Sequence, residues 1–256
     1  MNTISNRIAW ITGGGTGIGR ALALRLAREG WQVAVSGRRP ERLEEVRAIS
    51  GELAGRVYPV RVDVTDRDGM VAAAAEIERE LGPIHLVVLN AGMFETVRPD
   101  KVFDPAVFDR HFDVNVIGVI NGIHAALPGL KARRSGHVVI VSSVSGYRGL
   151  PLAAAYGASK AALINLAESL KFHFDRLNIT TSIANPGFVE TPLTESNRFP
   201  MPFLIDSAEA AERLYKGIMQ GRFEIAFPRR MAWTLKVMRC LPYRLYFALM
   251  KRTMRK

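Results

Sequence analysis

The sequence predicts an α/β fold, a doubly wound parallel sheet of about seven strands with helices on both faces, continued by a basic helical tail. Three observations carry this. Strand-length apolar runs alternate with longer segments of helical period up to about residue 228. A glycine-rich turn joins the first run to the first helical segment. The basic excess is confined to residues 229–256.

The elements follow in order. Arg7–Thr12 reads as a strand, and Gly17–Glu29 as a helix with Ile18, Leu22 and Leu26 on one face. Gln32–Ser36 is the next strand, and a helix starts at Pro40, a residue favoured in the first helical turn. Val57–Val62 is strand-like; Asp66 caps a helix that runs to Leu81 and is stopped by Gly82-Pro83. Ile84–Leu89 and His137–Ser142 are continuous apolar runs, as expected of strands buried on both faces. Phe108–Leu130 is largely helical between them, and Ala153–Leu177 is a long helix. Ile179–Ala184 is a strand, Ala208–Gln220 a helix and Phe223–Phe227 a short last strand. Such alternation requires right-handed crossovers between parallel strands. No repeat or linker interrupts residues 1–228, which are expected to form one domain, with 229–256 as an extension.

Composition excludes several classes. With 256 residues, 48% hydrophobic and 23% charged, the chain can bury a core without staples. A lone cysteine, Cys240, forbids an internal disulfide and fits a reducing compartment. No apolar run approaches the ~18 residues of a membrane span, and the strand beginning near Arg7 leaves no space for a signal peptide. A cytoplasmic location is the expectation. His85, His111, His124, His137 and His173 lack metal-ligand spacing, so no metal site is expected.

Strand one runs into Thr12-Gly13-Gly14-Gly15-Thr16-Gly17-Ile18-Gly19, which opens the first helix. Glycines let backbone approach a pyrophosphate, and a helix N-terminus offers free N–H groups. In this strand–turn–helix context, Gly13, Gly15, Thr16, Gly17, Ile18 and Gly19 are candidate dinucleotide-binding residues of a Rossmann-type domain. An NAD site usually carries an acidic residue at the end of strand two. Here Ser36-Gly37-Arg38-Arg39 stands instead. The Arg38 guanidinium matches a ribose 2′-phosphate, so NADP(H) is expected over NAD(H); the alternative is that Arg38 and Arg39 are solvated charges.

Tyr156 and Lys160 lie four residues apart, on one face of the long helix. A phenol titrates near ~10, and a neighbouring ammonium lowers it toward the working range. Ser142-Ser143 stands at the C-terminal end of a buried strand, where open parallel sheets bind ligands. With Thr12-Gly13-(x3)-Gly17-x-Gly19, Asp63-Val64, Asn90-Ala91-Gly92, Asn115, Ser143, Tyr156-(x3)-Lys160 and Pro186-Gly187-(x3)-Thr191 in this order, the chain resembles the short-chain dehydrogenase/reductase superfamily over about residues 5–227. It departs at Leu89, where the family more often has asparagine.

The resemblance implies hydride transfer between a carbonyl and a secondary alcohol. Tyr156 would be the general acid or base, Lys160 would lower its pKa and hold the nicotinamide ribose, Ser143 would polarise the substrate carbonyl, and Asn115 would hold a relay water. Asp63 and Val64 would meet adenine, and Asn90, Ala91 and Gly92 would support the adenosine side. Pro186, Gly187, Val189 and Thr191 would meet the nicotinamide side. It also implies a homodimer or homotetramer. The same scaffold could reduce C=C bonds or epimerise a sugar, or serve as a non-catalytic NADP(H) sensor.

Two segments remain. Residues 188–206 carry Phe188, Leu193, Phe199, Met201, Phe203, Leu204 and Ile205, an apolar lid that suits a lipophilic substrate. Residues 229–256 hold nine basic residues and no acidic one, leaving the rest of the chain near neutral against a total of +11. On a helical wheel of Tyr243–Lys256, Arg244, Lys251, Arg252 and Arg255 gather around Ala248. Leu245, Tyr246, Phe247, Leu249, Met250 and Met254 cover the other side. Such a helix suits peripheral contact with an anionic membrane surface; the alternative is packing on the body or on a partner subunit. No nucleic-acid-binding module accompanies the charge, so nucleic acid is not expected.

Overall fold

The computed structural model describes residues 7–195 and 200–254, with side chains described as far as 251. Period-two alternation sets the core. In β1 (Ile8–Thr12), Ile8 and Trp10 point into one apolar layer and Ala9 and Ile11 into the other, all fully buried. Buried on both faces, such a strand must lie centrally, and β1 does. It pairs in parallel with β2 (Gln32–Gly37) and β4 (Ile84–Leu89). The others are β3 (Val57–Arg61), β5 (Gly136–Val141), β6 (Ile179–Pro186) and β7 (Glu224–Phe227). All pairings are parallel, in the order β3-β2-β1-β4-β5-β6-β7. The chain runs outward from β1 in both directions, which opens a crevice beyond the C-terminal ends of β1 and β4.

Helices cover both faces. On one side α1 (Gly17–Arg28), α2 (Pro40–Ile49) and α7 (Ser207–Met219) bury Leu22, Leu26, Leu43, Val46 and Leu214. On the other, α3 (Arg67–Glu80), α5 (Gly118–Arg133) and α6 (Ala154–Arg176) bury Met70, Leu130 and Leu163. Side-chain caps start α3 and α7, where Asp66 accepts from the Gly69 N–H at 3.0 Å and Asp206 from the Glu209 N–H at 2.7 Å.

The helix expected over Phe108–Leu130 is two helices in series. α4 (Pro105–Phe112) begins earlier because Asp104 caps it and Pro105 occupies the first turn. A π-turn over Asp113–Ile117 then joins it to α5, which continues past Pro128 to Arg133. The strand expected to reach Ser142 ends at Val141, so Ser142 and Ser143 stand just beyond the ladder.

The tail forms α8 (Arg229–Cys240) and α9 (Tyr243–Met254). Met231, Ala232 and Leu235 of α8 join the core layer under α6, and Tyr246 of α9 is buried. The wheel is therefore divided in the structure. Tyr246 faces the body, while Leu245, Phe247 and Leu249 are exposed. The side chains of Arg252, Met254 and Arg255 lie outside the described residues. Among the described residues, no helix is long and apolar enough to cross a membrane.

Leu22 is fully buried between α1 and the sheet. Leu22→Ala is expected to cost about 2–5 kcal/mol of stability, read as a lowered midpoint in urea unfolding with an unchanged slope.

Candidate active site

The crevice is shaped by backbone approach. Gly13 and Gly17 have φ of +66° and +54°, which disfavour any side chain. A Cβ on Gly13 would lie 2.8 Å from the Ala91 Cα, and one on Gly19 would lie 2.5 Å from the Asn90 amide nitrogen. On Gly17 it would meet the Thr191 methyl at 2.9 Å, so the turn also touches the segment after β6. A Cβ on Gly15 would lie 3.1 Å from the Arg42 Cβ of α2. Thr16 makes no side-chain cap on α1, and the first turn, with Ile18, holds no acidic residue. Among the described residues, no side chain caps the first-turn N–H groups of the helix.

A polar weld holds this turn to the end of β4. The Thr12 hydroxyl accepts from the Asn90 and Ala91 N–H groups at 3.0 and 3.1 Å. The Asn90 side-chain amide donates to the carbonyls of Thr12 and Gly13 at 3.0 and 3.2 Å. The departure at Leu89 leaves this arrangement whole, because Leu89 points into the core.

At the outer end, Arg38 follows β2 and is 75% exposed, with a guanidinium nitrogen 4.0 Å from an Asp63 carboxylate oxygen. Asp63 also accepts from the Thr65 N–H and hydroxyl at 3.0 and 2.9 Å. The Val64 carbonyl accepts from Asn121 at 2.9 Å. This fixes the loop after β3 beside the crevice.

At the inner end, Tyr156 and Lys160 project from one face of α6. The Lys160 ammonium is buried, donates to the Val141 carbonyl at 2.9 Å and lies 5.6 Å from the centre of the Tyr156 ring. Burial pulls Lys160 down to about 8. Burial pushes Tyr156 up to about 12, against a hydrogen bond with Ser143 that pulls it down. The lowering of the tyrosine by its lysine, expected from spacing alone, is thus not the balance in this structure. Loss of hydration is the largest influence, only Ser143 opposes it, and the ammonium is turned toward a backbone carbonyl.

Ser143 also donates to the Pro186 carbonyl at 3.3 Å and accepts from the Ser145 N–H at 3.1 Å. Asn115 sits in the π-turn. Its amide donates to the Met93 carbonyl at 3.1 Å and the Ser159 hydroxyl at 3.0 Å, and its oxygen accepts from the Met93 N–H at 2.8 Å. A Cβ on Gly92 would lie 3.2 Å from that oxygen and 3.5 Å from the Lys160 nitrogen, so Gly92, Asn115 and Lys160 meet at one point. Val189 is buried and bridges Ile205 across the base of the lid, next to Pro186 and Gly187. Of the residues expected in a lid, Leu193, Phe203 and Leu204 are exposed, and Phe199 lies outside the described residues.

Several residues at the site carry no sequence signal. Phe94 packs edge-on against Tyr156 at 5.1 Å, with His111 at 6.4 Å. His111 is held by the Val107 carbonyl at 2.6 Å and the Glu95 N–H at 3.1 Å. The segment between Ser143 and Tyr156 is tied to the tail. The Arg148 guanidinium donates to the carbonyls of Met238, Arg239 and Leu241 at 2.7, 2.6 and 2.9 Å and stacks on Tyr246 at 4.1 Å. The Tyr246 hydroxyl donates to the Gly149 carbonyl. Tyr147 donates to Glu224 at 2.6 Å, and Lys236 pairs with the other oxygen of that carboxylate. These contacts join residues roughly ninety or more positions apart in several cases, so local spacing cannot reveal them.

Lys160 gives a pH signature. Its folded pKa lies below the unfolded one, so the unfolded chain binds the extra proton between about pH 8 and 10.5. Burial therefore penalises the fold in full below that window and is relieved as pH rises through it. Against Lys160→Met, the wild-type chain without ligand is expected to gain up to about 3 kcal/mol of relative stability across this range, followed by urea unfolding at several pH values.

The model for short chain dehydrogenases matches residues 7–201. A Myxococcus xanthus (strain DK1622) protein, named as an uncharacterized oxidoreductase, is 38% identical over 252 residues, covering 98% of this chain and 99% of its own. Human estradiol 17-beta-dehydrogenase 11 is 29% identical over 253 residues, covering 98% of this chain and 84% of its own. A solved 3-ketoacyl-ACP reductase from Sinorhizobium meliloti 1021 superposes with a TM-score of 0.77 at 28% identity, over 86% of this chain and 95% of that one. A parallel seven-stranded sheet with its glycine turn welded to β4 and a Tyr–Lys pair beside Ser143 accords with these likenesses: the chain belongs to the short chain dehydrogenase family and is a dehydrogenase/reductase enzyme.

Proposed function

We propose that the chain is an NADP(H)-dependent oxidoreductase that interconverts a carbonyl and a secondary alcohol on a lipophilic substrate. The observation that carries this reading is Tyr156, close enough to the Ser143 hydroxyl to be drawn down by it and one turn from buried Lys160, beside a glycine cradle that side chains would fill. The cradle fits a dinucleotide pyrophosphate, with the α1 N–H groups toward it. Arg38 would take the 2′-phosphate, and Asp63 and Val64 would border the adenine. Asn90, Ala91 and Gly92 would wall the adenosine side, and Pro186, Gly187, Val189 and Thr191 the nicotinamide side. A bound nicotinamide dinucleotide supplies or accepts the hydride.

The chain supplies position and a proton. In reduction, Ser143 and Tyr156 donate to the carbonyl oxygen as negative charge grows there, and Tyr156 releases its proton to that oxygen. A phenol pushed up to about 12 by burial holds its proton at neutral pH, which suits the acid role. Lys160 is poised to favour the phenolate that remains, since its charged form is the better partner once Tyr156 is negative. The Asn115 side chain is occupied by Met93 and Ser159, so it acts by holding the π-turn beside Lys160, where a relay water would sit.

Leu193, Phe203 and Leu204 on the lid support a lipophilic substrate. Exposed Phe112, Ile117, Ile120 and Phe172 on the helices 105–133 and 154–176 support a homo-oligomer built on those faces. The basic tail with its exposed apolar residues supports a cytoplasmic enzyme working at a membrane surface.

The test is oxidation of NADPH and NADH against carbonyl compounds from short polar aldehydes to long-chain ketones. NADPH turnover on the lipophilic members is expected, with Tyr156→Phe lowering kcat at least about a hundred-fold while NADPH binding is retained. Arg38→Ala is expected to raise the Kd for NADPH roughly ten-fold or more and to leave that for NADH nearly unchanged. Equal turnover of polar and lipophilic carbonyl compounds would remove the lipophilic assignment, and tight binding without turnover would leave a nucleotide sensor.

A further inference from the structure

We propose that the cavity between α7, β7 and α8 is a phosphate-recognising site that seats the headgroups of an anionic phospholipid surface, with Trp233 entering the interface beside it. The proposal rests on the membrane-surface part of the function given above and is independent of the reaction. The cavity has a volume of about 440 Å³ and is lined by Arg213, Lys216, Arg222, Arg229, Lys236 and Trp233.

Its charge is one-sided. Glu224 is the one carboxylate in the lining, and it is already engaged by Tyr147 and Lys236. Arg213 and Lys216 pair with Glu209 and Glu212 on their own helix. Arg222 and Arg229 are exposed and have no carboxylate partner among the described residues. Arg229 is also the first residue of α8, whose opening turn has neither a side-chain cap nor an acidic residue, so backbone N–H groups add to the positive field at the same rim. A phosphate oxyanion is the complement of this set.

The rim identifies the source of the phosphate. The chain has three tryptophans: Trp10 and Trp31 are 0% and 6% exposed, whereas Trp233 is 66% exposed. Val237 stands one turn further along α8 and is as open as Trp233, and Arg230 precedes them on the same face. An amphipathic indole with an aliphatic neighbour and cations beside it matches the boundary between headgroups and acyl chains. A small soluble phosphate would have no use for this apolar rim. A second copy of the chain is disfavoured as well, because a two-fold contact at this face would set the same cations against one another.

The test uses the full-length chain with vesicles of phosphatidylcholine alone and of phosphatidylcholine with phosphatidylserine, and inorganic phosphate as the free-anion arm. Binding to the anionic vesicles is expected, weakened by salt and accompanied by a blue shift in tryptophan emission that Trp233→Phe abolishes. Arg222→Glu and Arg229→Glu are each expected to weaken partitioning by about ten-fold or more, and Arg244→Glu, away from the cavity on α9, by clearly less. Unchanged thermal midpoints confirm that these surface variants are folded. Equal binding to neutral vesicles, equal losses from Arg229→Glu and Arg244→Glu, or a Trp233 response to phosphate without vesicle binding would each overturn the proposal. Concentration-dependent self-association removed by Arg229→Glu, with no vesicle binding, would overturn it in favour of a subunit interface. Failure of carbonyl turnover would leave all of these readings unaffected.

Discussion

The bond network between Thr12 and Asn90 is the constraint on which the site depends. One hydroxyl and one side-chain amide join the ends of β1 and β4, the two strands that border the crevice where the chain changes direction. The joint works only because Gly13 and Gly19 bring no side chain between the partners. Satisfying these groups against each other leaves the first turn of α1 without a side-chain cap among the described residues. Removing either side would strand polar groups at a cost of about 1–3 kcal/mol each, and would loosen the floor of the crevice at the same time.

The other end of the crevice rests on a different balance. Lys160 is a buried cation with one carbonyl partner, and Tyr156 is a half-buried neutral phenol. Each alone is held toward its neutral form by lost hydration, and each becomes more stable charged when the other is charged. With the ammonium 5.6 Å from the ring centre, a proton leaving the tyrosine would leave a negative charge with a cation nearby. The tightness at Gly92, Asn115 and Lys160 keeps that compensation local.

Most of this architecture was legible in the sequence, for physical reasons. Strands buried on both faces, such as Ile84–Leu89, are continuous apolar runs, and the glycine turn marks where backbone must approach backbone. Asp66 could be read as a cap because capping is local. What escaped was either subtle or remote. The π-turn at Asp113–Ile117 alters helix register without any proline or glycine to announce it, and an early start at Pro105 depended on a cap at Asp104. The electrostatic state of Tyr156 depends on how much water is lost around it, which spacing does not encode. The division of the tail helix into a buried Tyr246 and exposed neighbours depends on where Gly149 and Arg148 lie.

The Arg148 contacts bear on the order in which the molecule is completed. In a chain made from its N-terminus the bonds of the weld are available early, since both of their partners lie within residues 12–91. The stretch linking Ser143 to Tyr156 must wait, because its acceptors at Met238, Arg239 and Leu241 and the ring of Tyr246 lie roughly ninety residues further along the chain. The weld can thus form before the stretch between Ser143 and Tyr156 is anchored, and a chain ended short of Met238 would carry the first without the anchoring of the second.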